Sequence, residues 1–277
     1  MDYKRVLTIQ DISCLGQCSL TVALPVLSAC GHETAVLPSA VLSTHTSGFQ
    51  DFTFRNLSDD MPAIEKHWVQ SGITFDAVYT GYLGSAEHVA HVLSITRRCM
   101  KKGGIVFIDP AMADHGQLYA GFDESYVEAM KGLCKHAHYI LPNITEACLL
   151  TGIPYQESYE KAYIDLLLEG LTKLCPNVIL TGVSYAPDRT GIEVAENGNR
   201  HYYQHIRLPK VCHGTGDIFS STFVGAKLKG KTAWEAAKIA ADYTVSCIEA
   251  TVGSPEHWYG VKFEPVLGKL INMLNKN

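Results

Sequence analysis

Short apolar runs alternating with helical patterns constrain this chain more than any other feature. Residues 6–9, 34–37, 77–80, 105–108, 139–141 and 178–180 read as strands. Between them, 19–29, 60–70, 85–100, 126–135, 145–150 and 159–174 carry the spacing of helices that bury one face, the 85–100 helix being closed by Gly103-Gly104. Parallel neighbours need a long, right-handed crossover, so this alternation predicts a three-layer α/β/α fold with a mostly parallel central sheet. The pattern then changes. Residues 192–195 and 201–206 flank Asn197-Gly198, a two-residue hairpin signal, which puts an antiparallel hairpin at one end of the sheet. Helices over 216–228, 232–250 and 264–274 follow, the second opened by Thr232 and Glu235 as a capping box. No linker, repeat or low-complexity segment interrupts the 277 residues, and 47% apolar content suffices for a large core. A single domain over 1–277 is expected.

Charge and composition exclude several functions. The net charge is −5 and scattered, which leaves no basic face for a nucleic-acid backbone or an anionic membrane. No apolar run approaches the roughly 18 residues of a membrane span, and the N-terminus lacks a signal-peptide core. The nine cysteines form no C-x-x-C pair, and Cys14 with Cys18 is too isolated for zinc. Reduced thiols in a cytoplasmic protein are expected. The twelve histidines are dispersed, with no H-E-x-x-H.

In open α/β sheets, ligands sit beyond the carboxyl ends of the strands. The residues there are polar or conformationally special: Asp11, the Thr44-His45-Thr46 loop, Gly81-Tyr82, Asp109-Pro110, Pro142-Asn143 and Thr181-Gly182. The most informative stretch is His213-Gly214-Thr215-Gly216-Asp217, which enters the 216–228 helix. Unpaired amides and the positive end of the dipole favour an anion there, and the glycines admit a phosphate close to the backbone. Asp217 in the first turn then suits a base that takes a proton from an attacking hydroxyl. A plain N-cap turn with an acidic first-turn residue fits the same letters.

Other segments also carry two readings. Asp109 and Asp114 can hold Mg²⁺, or be a turn aspartate and a solvated one. Asn143 and Glu146 read as a helix cap, a role compatible with holding a metal's water shell. Thr44 to Gly48 can line a pocket for a small polar ring or form a surface turn, and Tyr82 can cover a flat ligand or simply pack. Gly225 to Thr232 matches G-x-x-x-x-G-K-[ST], but a helix precedes it where a P-loop needs a strand. No G-x-G-x-x-G follows the first strand, which argues against a dinucleotide site.

Five runs taken together, Ser43-Thr44-His45-Thr46, Thr80-Gly81-Tyr82-Leu83-Gly84-Ser85, Asp109-Pro110 with Asp114, Leu141-Pro142-Asn143 with Glu146, and Gly214-Thr215-Gly216-Asp217, resemble the ribokinase-like superfamily. Within it they resemble the vitamin B6 (pyridoxal/pyridoxine) kinases, over nearly the whole chain. The resemblance implies ATP-dependent phosphorylation of the 5′-hydroxymethyl group of a B6 vitamer. It makes Asp217 the catalytic base and Gly214, Thr215 and Gly216 the anion hole. Asp109, Asp114 and Glu146 would serve Mg²⁺ and phosphates, with potassium near Asp109. Asp114, Asn143, Glu146, Thr181 and Gly216 would meet ATP, and Leu208 with the helix around Ala241 would border adenine. Asp11, His45, Thr46 and Tyr82 would surround the ring. The family often has serine where this chain has Asp11, a charge that would alter ring protonation or substrate preference. Only a helix separates the first two strands, so no separate lid domain is expected, and this branch is typically a homodimer. Hydroxymethylpyrimidine or its phosphate is the rival substrate, and a non-catalytic vitamer- or nucleotide-binding protein the rival class.

Overall fold

A computed structural model describes residues 3–209 and 212–275. The first half runs β1 (Arg5–Leu15), α1 (Leu20–Ala29), β2 (Glu33–Thr44), β3 (Phe54–Asn56), α2 (Met61–Gln70), β4 (Phe75–Thr80), α3 (Ala86–Arg98), β5 (Met100–Ile108) and a short hairpin, β6 (Ala113–Asp114) with β7 (Gln117–Leu118). The second half runs α4 (Glu124–Cys134), β8 (Tyr139–Ile140), α5 (Ile144–Thr151), α6 (Lys161–Thr172), β9 (Val178–Val183), β10 (Arg189–Glu196), β11 (Asn199–Ile206), α7 (Thr215–Leu228), α8 (Ala233–Thr251) and α9 (Leu267–Asn275).

One nine-stranded sheet, in the order β11-β10-β9-β8-β5-β4-β1-β2-β3, organises the molecule. The pairs from β2 through β9 are parallel, whereas β3, β10 and β11 each run antiparallel to the neighbour they extend. Side chains alternate across a strand, so the buried strands supply two cores. Leu7, Val78, Ile108 and Ile140 face α2 to α6, while Val6, Tyr79, Phe107 and Tyr139 face α1, α7, α8 and α9. This is the expected α/β/α layering. The hairpin turn is also as expected: Asn197 (φ 52°) and Gly198 (φ 81°) both take positive φ, and Glu196 pairs with Asn199. The Gly225 to Thr232 segment is the end of α7 and the start of α8, as the missing strand implied. All nine cysteines are free thiols, and among the described residues no helix is long and apolar enough to cross a membrane.

One departure from the sequence reading lies where β1 and β2 overhang the sheet. β1 and β2 run on well beyond the predicted strands. Past Ile9, opposite Thr80, β1 loses β4 as a partner and continues on β2 alone to Leu15, opposite Thr44. β3, absent from the sequence reading, adds to the outer edge of this overhang opposite Ala40 to Leu42. All three β3 residues are exposed, so no apolar alternation announced them. A second difference lies at α3, which stops at Arg98. Met100 already pairs with Phe75 and Ile105 with Ala77, so Lys101 to Gly104 bulge out between them instead of capping the helix.

Candidate active site

The strand ends and the α7 N-terminus enclose a cleft of about 620 Å³. Every residue to which the resemblance gives a site role lines it except Leu208; of the Thr44 to Gly48 loop, His45, Thr46 and Ser47 line it and Thr44 and Gly48 do not, and of the strand-end residues Gly81, Pro110 and Pro142 do not. The overhang explains one wall: Asp11 and Ser13 from β1 and Leu42 from β2 face the cleft. Tyr82 also lines the cleft, tilted against Phe122 with centroids 5.3 Å apart and its carbonyl accepting from the Ser39 hydroxyl.

At the floor, Gly214 is the N-cap of α7 with φ 79° and no side-chain cap. The first intrahelical bond runs from Ile218 N–H to the Gly214 carbonyl at 3.0 Å. The amides of Thr215 and Gly216 therefore have no partner within the helix, while that of Asp217 serves its own carboxylate, which leaves an anion cradle at the first turn. A Cβ at Gly216 would meet no protein atom within 4 Å, so that side of the cradle is open. Asp217 follows at once. Burial, and then the charge of Asp109, push its carboxyl up to about 7, while the Ser19 amide pulls the other way. A carboxylate near 7 accepts a proton readily at neutral pH.

Ser19 is the residue that sequence reasoning missed most. It holds φ 54° and ψ −128°, strained for a side chain that is not glycine, and it caps α1 without a side-chain cap bond. Its amide serves Asp217 and its hydroxyl serves Asp11. Nothing in the letters Cys18-Ser19-Leu20 signals a positive φ. Ser220 was also missed, and its hydroxyl donates to Asp109 Oδ2 at 2.6 Å. Here a signal existed, since Ser220 lies three residues past Asp217 on the same face of the helix.

Five carboxylates line the cleft, from Asp11, Asp109, Asp114, Glu146 and Asp217, with no lysine or arginine among the described lining residues. Burial raises Asp11, against the pull of the Ser19 and Ser13 hydroxyls. Burial also raises Asp109 and Glu146, and the charge of Asp109 adds to the rise at Glu146. Glu146 Oε2 accepts from Asn143 N–H at 2.9 Å and Oε1 from Met112 N–H at 3.0 Å. The capping reading of Asn143 and Glu146 therefore holds, with the carboxylate still at the cleft. Among the described residues no three acidic, histidine or cysteine side chains gather into a metal cage. Asp109 and Glu146 bring two carboxylates to the cleft, a number that suits Mg²⁺ because that ion keeps most of its waters and leans on one or two carboxylates plus substrate phosphates. His45 lines the wall with both ring nitrogens engaged: Nε2 meets the Tyr259 carbonyl at 2.6 Å and Nδ1 accepts from Ser47 N–H at 3.2 Å. Cys18 is held well above its usual range by burial and the charges of Asp217 and Asp11, so its thiol stays protonated.

A family model described as phosphomethylpyrimidine kinase matches residues 24–261. The chain belongs to that family. It is a phosphotransferase with an alcohol acceptor. Pyridoxal kinase from Lactobacillus plantarum is 31% identical with a TM-score of 0.90, covering 98% of this chain and 97% of that one. A Bacteroides thetaiotaomicron protein assigned to the phosphomethylpyrimidine kinases and crystallised with pyridoxal is 33% identical, with a TM-score of 0.92 over 97% of this chain and 96% of that one. Pyridoxal kinase from Dictyostelium discoideum is 27% identical over 248 residues, 82% of this chain and 80% of that protein.

Proposed function

We propose that this kinase transfers the terminal phosphoryl group of ATP to the 5′-hydroxymethyl group of pyridoxal, pyridoxine or pyridoxamine. One observation carries the reading: the unpaired first turn of α7, its Asp217, and the Asp11–Thr46–Tyr82 wall share a single cleft. The wall takes a flat ring, Tyr82 against its face and Asp11 accepting from a ring N–H or hydroxyl. The ring's hydroxymethyl arm then reaches Asp217, which accepts its proton as the oxygen attacks. The Thr215 and Gly216 amides receive equatorial oxygens of the transferring group, where charge develops. Further along, Asn143 and Thr181 meet the phosphates, and Ile192 with Ala241 and Ile248 offers an apolar slot for adenine.

Charge balance supports Mg²⁺, since a triphosphate entering beside five carboxylates needs cations. The metal neutralises charge on the phosphates. Asp109 and Glu146 would hold it, with Asp114 at the rim, and potassium near Asp109 belongs to the same reading. The free thiols accord with a cytoplasmic enzyme, and a homodimer is the assembly expected in solution, measurable by sedimentation.

The deciding experiment offers purified protein the three vitamers and hydroxymethylpyrimidine in parallel, with ATP consumption and product mass recorded and Mg²⁺ and potassium varied. Vitamer phosphate as the main product supports the reading; preference for the pyrimidine gives the second reading, which the family's own description favours. Binding without product would leave a non-catalytic protein. Chelating Mg²⁺ should abolish turnover, and full activity in its absence would remove the metal from the scheme.

A further inference from the structure

The anion cradle is supported from behind by a segment with no part in the chemistry above. Gly214 has no side-chain cap, and the bonds from α7 to the turn are the Ile218 amide to the Gly214 carbonyl at 3.0 Å and the Thr215 hydroxyl to the Cys212 carbonyl at 3.4 Å. What abuts it is the main chain of Gln17, whose carbonyl oxygen would lie 1.8 Å from a Cβ placed at Gly214. The Gln17 side chain is held at both ends. Its Nε2 donates to Glu264 Oε1 at 2.8 Å, and its Oε1 lies 2.7 Å from His257 Nε2. Because a carboxylate only accepts, Glu264 fixes the orientation of the amide, and His257 must then donate. Gly260 closes over the same residue, where a Cβ would fall 2.8 Å from Gln17 Oε1 and 3.1 Å from its backbone nitrogen. A second strut, His45, reaches the same connection through the Tyr259 carbonyl and lies 5.2 Å from the His213 ring. None of His257, Gly260 or Glu264 lines the cleft.

We propose that Gln17 is a positioning residue that clamps the Gly214 turn to the connection between α8 and α9, so that residues remote from the substrates set the aim of the cradle. The proposal rests on the kinase reading for its catalytic consequence and on the contacts alone for its mechanical one. Aim matters because a displacement of about 1 Å at a reacting centre can cost on the order of 10²-fold in rate.

The test replaces Gln17 by leucine, which keeps the bulk and removes both side-chain bonds, and compares Gln17→Leu with His257→Phe and the double variant. Hydrogen exchange of the 213–217 amides should quicken in each single variant. The kcat should fall roughly 10-fold or more with smaller changes in KM, and the double variant should be no worse than the poorer single, because both cut one path. Exchange at the cradle that stays at the wild-type rate overturns the clamp, as does a kcat loss that only follows the folded fraction in thermal melts or that multiplies in the double variant. If Gln17→Leu does not fold, His257→Phe carries the test by the same two readings. Should the wild-type protein phosphorylate no vitamer, the kinase reading fails while the exchange rates still decide the clamp.

Discussion

The molecule contains the same helix-start device twice, with opposite electrostatics. At α5, Asn143 Oδ1 accepts from Glu146 N–H at 2.9 Å and the glutamate returns a bond to the cap amide at 2.9 Å. At α8, Thr232 Oγ1 accepts from Glu235 N–H at 3.2 Å and the glutamate returns one at 2.8 Å. Glu235 is exposed, and the Thr232 amide and hydroxyl hold its carboxyl below the usual range. Glu146 is 2% exposed; burial, with Asp109 nearby, drives its carboxyl up. Local grammar builds the cap in both places. Whether the cap is only a cap depends on what the fold puts beside it. The consequences for pH run in opposite senses. The stabilisation from Glu235 is present above the ordinary carboxylate range and fades as pH falls through its lowered value. Glu146 resists ionisation in the fold, so its unfavourable contribution is absent in acid and sets in as pH rises from the unfolded towards the raised value.

The contrast between cleft and surface carboxylates can be sharpened by experiment. The largest effect belongs to Asp217→Asn, which should lower kcat by roughly 10²–10⁴ with little change in ATP affinity, as steady-state kinetics with binding calorimetry will read; near wild-type turnover would break the assignment. Glu146→Gln should lower kcat/KM by about tenfold or more, because one amide loses its acceptor and the phosphate side loses a charge. Glu235→Gln should leave kcat/KM unchanged, and an equal loss in both variants would erase the distinction between the caps. For pH, Asp217 must be ionised to accept a proton, so kcat/KM of the wild-type enzyme should fall as pH drops through about 7. Removing the neighbouring charge with Asp109→Asn should move that acid limb to lower pH whatever it does to the maximum, and an unmoved or raised limb would contradict the electrostatic account. The smallest effect is Thr232→Ala, expected to lower stability by about 1 kcal/mol in denaturant titration without touching turnover.

Much of this was legible in the letters. The strand ends were readable because each apolar run stops at a polar or glycine-containing turn, and most of the cleft follows from the rule that ligands gather there. Asn197-Gly198 disclosed its hairpin because a two-residue turn with positive φ at both positions has few alternatives. Ser19, Gln17 and β3 were not legible. Ser19 meets Asp217 on α7 and Asp11 on β1, Gln17 is held by residues some 240 positions away in sequence, and β3 rests on an overhang rather than on its own alternation. The resemblance put Leu208 and the helix around Ala241 together; Ala241 lines the cleft, as do Ile192 and Ile248, and Leu208 is not among the lining residues.

By itself the sequence determined the layered α/β scaffold, the glycine-flanked entry to α7 and the set of acids at the strand ends, because periodicity, capping and turn chemistry act over a few residues at a time. The tertiary structure alone decided that Asp217, Asp109 and Glu146 share one crowded space and that Gln17 backs the cradle. Burial and charge–charge proximity are sums over the whole fold, and no local pattern contains them.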